Sequence, residues 1–193
     1  AVTGAKLNTD VISAQTALTS APDDTDELLI SDAGTLKRID YSLIKSAPGL
    51  NLISTTTISS GTANVDITSG IDSTYKNYQI HVINLHPSSD GQKIQMRFFN
   101  SSGIVTASSY GFATDGRREE NTQLSHAGSS ESYIRFSNQG LGYNNDESAS
   151  IIINLFNPSD TTFQKTIQGN IVFINDSGNM CVEHFGGTYD GTH

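Results

Sequence analysis

The stretch SASIIINLFNPSDTTFQKTIQGNIVFIN, residues 148–175, decides the fold. It contains two runs rich in Ile, Val and Phe on either side of a polar segment with Pro158, which is typical of two β-strands joined by a turn. Residues 150–156 are apolar at nearly consecutive positions. We therefore predict a central strand there, or a strand whose second face is covered by a neighbouring subunit.

The flanking sequence continues the strand pattern. KIQMRFF, residues 93–99, alternates so that Ile94, Met96 and Phe98 share one face, and residues 75–86 alternate in the same way around Tyr78. We predict further strands at residues 51–58, 62–67, 132–137 and 179–185. Residues 100–130 are rich in Gly, Ser and charge, and we expect a long excursion with one or two weak strands. No helical period exceeds one turn after residue 46. The chain is predicted to be all-β, with a jelly-roll-like β-sandwich preceded by an extended arm and a small β-hairpin segment.

The first 48 residues differ from the rest. Residues 1–20 contain few large apolar side chains, so we expect a flexible arm. ELLIS and TLKRI flank DAG, which predicts a hairpin with Gly34 at a positive φ, and Asp40 is placed to cap one helical turn. Pro48 and Gly49 then break the chain. We predict two domains, an arm and hairpin at residues 1–48 and a β-sandwich at residues 49–193; the roles of the first, attachment and trimerisation, are those that the family resemblance described below implies.

The hairpin is too small to fold alone. Burial of apolar surface contributes about 25 cal/mol per Å², and a two-stranded hairpin buries little. Its apolar side chains therefore need another surface, which is either a set of copies around a threefold axis or the chain's own sandwich. The predicted assembly residues are Leu28, Leu29, Ile30, Leu36, Ile39, Leu43 and Ile44.

The composition limits the classes of partner. The chain has 11 basic and 20 acidic residues, a formal charge of −9, and binding to phosphate needs clustered Lys and Arg, so we predict no nucleic-acid partner. No apolar run is long enough for a membrane span, and the first residues lack a signal-peptide pattern, so we predict no membrane insertion. Cys181 is the single cysteine and is expected in the core.

No motif indicates catalysis, a metal or a cofactor. The five histidines are scattered, and His81 alternates outward on its predicted strand. The acidic run at residues 23–27 lacks the Gly and the distal Glu of a calcium loop and is interpreted as a solvated turn. Glu119 and Glu120 beside two arginines are interpreted as a self-neutralising loop. Loops carry contacts, so the candidate surface residues are Tyr110, Arg117, Arg118, Tyr143 and Tyr189.

The pattern resembles a known family. Residues 52–103, followed by SYIRF and FQKTIQGNIVFI, resemble a domain of tailed-phage virion proteins, chiefly fibre and surface-appendage proteins of marine and cyanobacterial phages. Residues 23–44 are similar to an element that precedes such domains. The resemblance covers most of residues 20–185.

The resemblance implies a location and a set of partners. The expected protein is a non-enzymatic homotrimer on the virion surface, assembled in the host cytoplasm, with other tail or capsid proteins and a host surface glycan as partners. Its expected function is that of a tail fibre or appendage that docks through its N-terminus and presents the sandwich to the host. One alternative is a capsid decoration protein, and a second is a carbohydrate-binding module or glycan-active enzyme.

Overall fold

Backbone pairing dominates this chain. The computed structural model describes residues 14–45, 49–59 and 61–191. Strand accounts for 45% of the chain and helix for 2%, and a six-stranded antiparallel sheet with small hairpin ladders gives a sandwich-like fold, which confirms the all-β prediction.

The strands fall into one large sheet and three short ladders. The large sheet has the order β3-β10-β11-β12-β7-β8, and the short ladders are β1-β2, β4-β9 and β5-β6. The elements are β1 (Glu27–Asp32), β2 (Thr35–Asp40), α1 (Tyr41–Ile44), β3 (Asn77–Leu85), β4 (Gln95–Met96), β5 (Phe99–Asn100), β6 (Gly103–Ile104), β7 (Tyr110–Arg118), β8 (Gln123–Glu131), β9 (Ile134–Arg135), β10 (Ala149–Phe156), β11 (Lys165–Ile174) and β12 (Met180–Tyr189).

Contacts divide the chain into two units, residues 1–53 and residues 54–193. The first unit contains the predicted hairpin and the second contains the sheet. Pro48, at the predicted boundary, lies outside the described residues, as do residues 1–13 of the predicted arm. Residues 14–20 form neither helix nor strand. In the described part of the chain, no helix is long and apolar enough to cross a membrane.

The hairpin in the first unit forms where the sequence predicts it. Ala33 and Gly34 both have positive φ, 49° and 83°, the combination that a two-residue turn needs to match the twist of its strands. Asp40 occupies the cap position of α1, but its side chain makes no capping hydrogen bond. Instead, the backbone N–H groups of Tyr41 and Ser42 donate to the carbonyls of Asp26 and Asp24.

The large sheet is built on the predicted central strands. β10 lies between β3 and β11, and its side chains alternate, with Ile151, Ile153 and Leu155 buried. Along β11 the alternation is equally strict and buries Ile167, Ile171 and Phe173. The prediction of an interior strand at residues 150–156 is confirmed.

A second, less regular layer covers the inner face of this sheet. Ile94, Met96 and Phe98 point inward as predicted, and all three pack on the core. Of that run, Gln95 and Met96 pair with β9, and Phe99 begins the short strand β5, which pairs with β6. The side chains of this layer therefore alternate as predicted, although its backbone forms few strand hydrogen bonds.

Aromatic rings join the two layers. The rings of Phe98, Tyr110 and Tyr189 stack, with centroids 5.0 Å apart between the tyrosines and 5.2 Å apart between Phe98 and Tyr189. Phe136 and Phe185 form a second stack at 4.4 Å. Such contacts add about 0.5–1.5 kcal/mol to the burial itself. These stacks fix the irregular layer against β7 and β12.

The expected one or two strands within residues 100–130 are present, but they are not weak. β7 and β8 are nine-residue strands of the large sheet, so the expectation of a long excursion is wrong for these segments. The Gly and Ser residues of β7 and β8 hide the strand pattern in the sequence. The sheet nevertheless requires a glycine at position 116, where a Cβ atom would lie 2.1 Å from the carbonyl oxygen of Val182. Pairing with β12 thus overrides the low strand propensity of this segment.

The predicted strands at residues 51–58 and 62–67 are also wrong. The described residues of this region form no strand, and Leu52 and Val65 are exposed. Strand formation needs a partner backbone, and no described part of this chain supplies one. Their β-branched composition is therefore not sufficient to make them strands here.

We predict that Tyr110→Phe destabilises the sandwich by about 1–2 kcal/mol. The Tyr110 hydroxyl accepts the N–H of Phe98 at 3.0 Å and donates to the carbonyl of Val105 at 3.1 Å, so its removal leaves two buried backbone groups unpaired while the ring stack stays. Denaturant unfolding measures the change. Tyr143→Phe at an exposed position is the control, and equal stability of the two variants would contradict the prediction.

We predict that Cys181 does not react with thiol reagents in the folded protein. The side chain is fully buried, and burial, with the charge of Glu183 as a second cause, raises the pKa of its thiol to about 11. The thiol therefore stays protonated below that pH, and the thiolate is the reactive form. Labelling at pH 8 should modify none of the native chain and one thiol per chain in denaturant. Rapid native labelling would contradict this.

Candidate functional site

The predicted assembly residues form an exposed apolar surface on the hairpin and α1. Leu29, Leu36 and Leu43 are the most exposed, at 73%, 70% and 73% of their surface. Ile39 is half-buried. The complete set, which we call the hairpin surface, is Leu28, Leu29, Ile30, Leu36, Ile39, Leu43 and Ile44.

The register places apolar side chains on both faces of the hairpin. Leu28 pairs with Ile39 on one face, and Ile30 follows two residues later on that same face. Leu29 lies on the opposite face. Leu36 pairs with Ser31, two residues after Leu29 on that face, so Leu36 is the diagonal neighbour of Leu29. A hairpin that covered a single core would be apolar on one face only. Each face of this one therefore offers a contact surface.

Charged pairs hold the hairpin in this conformation. Arg38 lies 2.5 Å from Glu27, and Lys37 lies 2.5 Å from Asp32. Lys45 at the end of α1 pairs with Asp24 in the acidic run. That run forms a turn in which the N–H of Asp26 donates to the carbonyl of Asp23, as expected of a structural turn.

Three of the five candidate surface residues lie at one end of the sandwich. Ala149 pairs with Leu85 and Phe173, and Cys181 pairs with Arg118, so the connections at this end come together. We call this region the loop end, defined as residues 86–92, 119–122, 140–147 and 175–179. Tyr143 lies within it, and Arg117 and Arg118 lie at the adjoining end of β7.

Hydrogen bonds and close backbone packing support the loop end. A carboxylate oxygen of Asp90 accepts the N–H of Tyr143 at 3.0 Å, and Glu147 accepts the N–H of Asn144 at 2.7 Å. Gly140 approaches the backbone of Gly91 so closely that a Cβ atom would lie 2.5 Å from its Cα. Tyr143 remains 47% exposed on this support. The loop end therefore presents the Tyr143 ring on a hydrogen-bonded backbone.

Sequence reasoning missed the buried polar groups that support this end. Glu147 and Asn175 are buried, and the side-chain oxygen of Asn175 accepts the N–H groups of Ser177 and Asn179. The available signal was the density of Asn, Asp and Gly between strands, since these residues form local side-chain to backbone turns.

The two arginines interact locally. The guanidinium of Arg117 donates to the side-chain oxygen of Asn121 at 2.9 Å, and Arg118 lies 2.7 Å from Glu120. The interpretation of this segment as self-neutralising is supported by the second pair. Both arginines belong to β7 and border its turn into β8, instead of lying in a long loop.

Tyr110 and Tyr189 are not loop residues. Tyr110 begins β7 and is 1% exposed, and Tyr189 ends β12 and is 2% exposed. Burial raises the pKa of the Tyr110 hydroxyl, which is consistent with a core position. The glycines next to these tyrosines suggested loops, but Gly111 and Gly187 belong to strands. Both tyrosines are therefore core residues, and the prediction that they are surface contacts is wrong.

The described residues give no metal-binding arrangement. Within residues 14–45, 49–59 and 61–191, no three His, Cys, Asp or Glu side chains lie close enough to hold an ion. His81 is exposed as predicted, and its Nε2 lies 2.6 Å from the side-chain oxygen of Gln79. His193 lies outside the described residues.

Comparison of the chain with protein-family models, with curated proteins and with solved structures finds no match. The likeness to phage virion proteins therefore stays a prediction from the sequence pattern.

Proposed function

We propose that this chain is a non-enzymatic structural protein of a phage virion. In this proposal it is a homotrimeric tail-fibre or appendage module on the virion surface. The hairpin surface joins three copies and docks them on other virion proteins, and the sandwich presents its loop end to the host surface. The virion setting is supported by the resemblance of residues 20–185 to phage appendage domains.

The observation that carries the assembly proposal is the presence of exposed apolar side chains on both faces of the hairpin. Ordering each residue costs about 1–2 kcal/mol. Burying roughly 300 Å² of apolar surface returns about 7 kcal/mol, which does not offset the ordering of the twelve strand residues. Contact with other copies supplies the additional burial that makes the hairpin stable.

A ring of three hairpins accounts for the two apolar faces. In a closed ring each member has one neighbour on either side, so Leu28 and Leu29, which point to opposite faces, both become buried. A twofold pair would cover one face and leave the other in water. The double-sided pattern thus favours three copies over two.

The loop end suits a host-surface contact. The exposed Tyr143 ring can stack on the apolar face of a sugar, and the hydrogen bond from the Tyr143 backbone N–H to Asp90 already orders the loop that carries it. A host surface glycan is accordingly the ligand class that we propose for this end.

We predict a trimer near three times 20.7 kDa by native mass spectrometry. Leu28→Glu and Leu29→Glu should each convert the trimer to monomer at micromolar concentration, because each places a charge in a contact on a different face. Thr35→Glu beside the turn adds the same charge at an exposed polar position and is the control.

Three outcomes would count against this proposal. A monomeric wild-type chain removes the assembly role. An effect of only one leucine variant contradicts the ring and supports hairpin packing on a single surface. Antibody labelling of phage particles that encode this chain tests the location: signal at the tail supports an appendage, signal over the head supports decoration, and lack of signal on intact particles contradicts the virion role.

A further inference from the structure

The solvent side of β3, β10, β11 and β12, which we call the outer sheet face, has no formal charge. Its exposed positions contain Ile, Val, Phe, Asn, Gln, Ser, Thr, His and Gly, and none of these fully described positions contains Lys, Arg, Asp or Glu. The two charged residues of these strands, Lys165 and Glu183, are buried on the opposite face. The formal charges of these strands thus lie on the core side, although polar-out sheets usually carry them on the solvent side.

The outer sheet face has an apolar centre. Ile83, Ile152, Val172 and Val182 are all exposed there, and Ile83 is the most exposed at 74%. They surround a shallow depression of about 270 Å³ in which Ser150 is the small residue between larger neighbours. A projecting side chain beside a depression can interlock with the same features on another copy.

Five polar side chains of this face bond to one another. The side-chain nitrogen of Gln79 donates to Asn154 at 2.9 Å, and the ring nitrogen Nε2 of His81 lies 2.6 Å from the oxygen of Gln79. His184 pairs with Asn170 in the same way. Covering a polar group costs free energy when its hydrogen bond to water is lost without replacement. These groups keep their partners when the face is covered.

The charge of the chain favours the outer sheet face as the surface through which two copies meet. The net charge is −9, so most surfaces of two copies repel each other. The outer sheet face has no charges of its own to cause this repulsion. Depletion of charged residues is also what distinguishes the centre of a subunit interface from other protein surface. A basic partner would instead select an acidic surface.

The size of the face is sufficient. Four strands about 4.8 Å apart and nine residues of about 3.3 Å each cover roughly 570 Å². Two such surfaces in contact bury roughly 1,100 Å² in total, just above the roughly 1,000 Å² expected of a specific interface.

We propose that two copies of this chain pack face to face through the outer sheet face, in a twofold contact that joins two trimers and lies outside the threefold ring. This inference rests on the self-association in the proposed function and adds a second contact to that of the hairpin surface. Ile83 and Val172 lie in the contact, and the edge strand β8 lies outside it.

Ile83→Asp tests the contact in the full chain. Sedimentation analysis should show that the concentration at which half of the trimers associate in pairs rises at least tenfold. Ala127→Asp is the matched control, because Ala127 is exposed on β8, the other edge strand of the same sheet. It should leave this concentration unchanged.

Cross-linking gives a second measurement that does not depend on the stability of the charged variant. Cys181 is buried, so Val172→Cys introduces a single accessible thiol. A flexible bis-maleimide should join copies of Val172→Cys and should not join copies of the control Ala127→Cys. If Ile83→Asp fails to fold, as judged by circular dichroism, the cross-linking result decides.

The outcomes separate this inference from the proposed function. A monomeric wild-type chain overturns both. A wild-type trimer that does not associate further, dissociates in Leu29→Glu and gives no cross-link at Val172→Cys overturns the sheet contact and leaves the hairpin assembly intact. If Ile83→Asp leaves the association of trimers unchanged but loses adhesion to host cells, the face contacts the host and the inference is wrong.

Discussion

The strict alternation of side chains along β10, β11 and β12 is the constraint on which the rest of the structure depends. It sends every second residue into one core and brings Glu183 there too. A buried carboxylate needs partners, and Glu183 accepts the N–H of Asn138 at 2.8 Å. The carbonyl of Asn138 in turn accepts Lys93 at 2.7 Å. The second layer is therefore attached to the sheet by a polar contact as well as by aromatic stacks.

The sequence predicts those parts of the fold in which local pattern and tertiary pairing agree. β3 carries a clear period of two, the apolar runs of β10 and β11 indicate strands, and Ala33 and Gly34 suit the hairpin turn. The length of β7 and β8 is not evident from the sequence, because their Gly and Ser residues have low strand propensity and the close approach that suits Gly116 is a long-range contact. Residues 51–58 and 62–67 have strand composition but no pairing partner in the described chain. Amino-acid composition alone therefore does not determine whether either of these regions forms strands.

The candidate surfaces show a similar limit. The apolar hairpin residues are visible in the sequence because the segment is short and has no room for a core. Tyr110 and Tyr189 were misassigned because adjacent glycines are typical of loops as well as of tightly packed strands. The outer sheet face could not be predicted, since its uncharged character appears only when the register brings Asn154 beside Gln79 and Val172 beside Val182.

The position of the charges also bears on how molecules of this protein meet in solution. Electrostatic repulsion acts over about 10 Å at 0.1 M salt, so two negatively charged molecules slow each other on most approach paths. Approach along the normal to the uncharged face avoids the strongest of this repulsion. Ionic strength therefore affects the orientation in which two molecules meet. At low salt, repulsion disfavours encounters through charged surfaces, and at high salt this repulsion is screened, so encounters in all orientations become more alike in frequency.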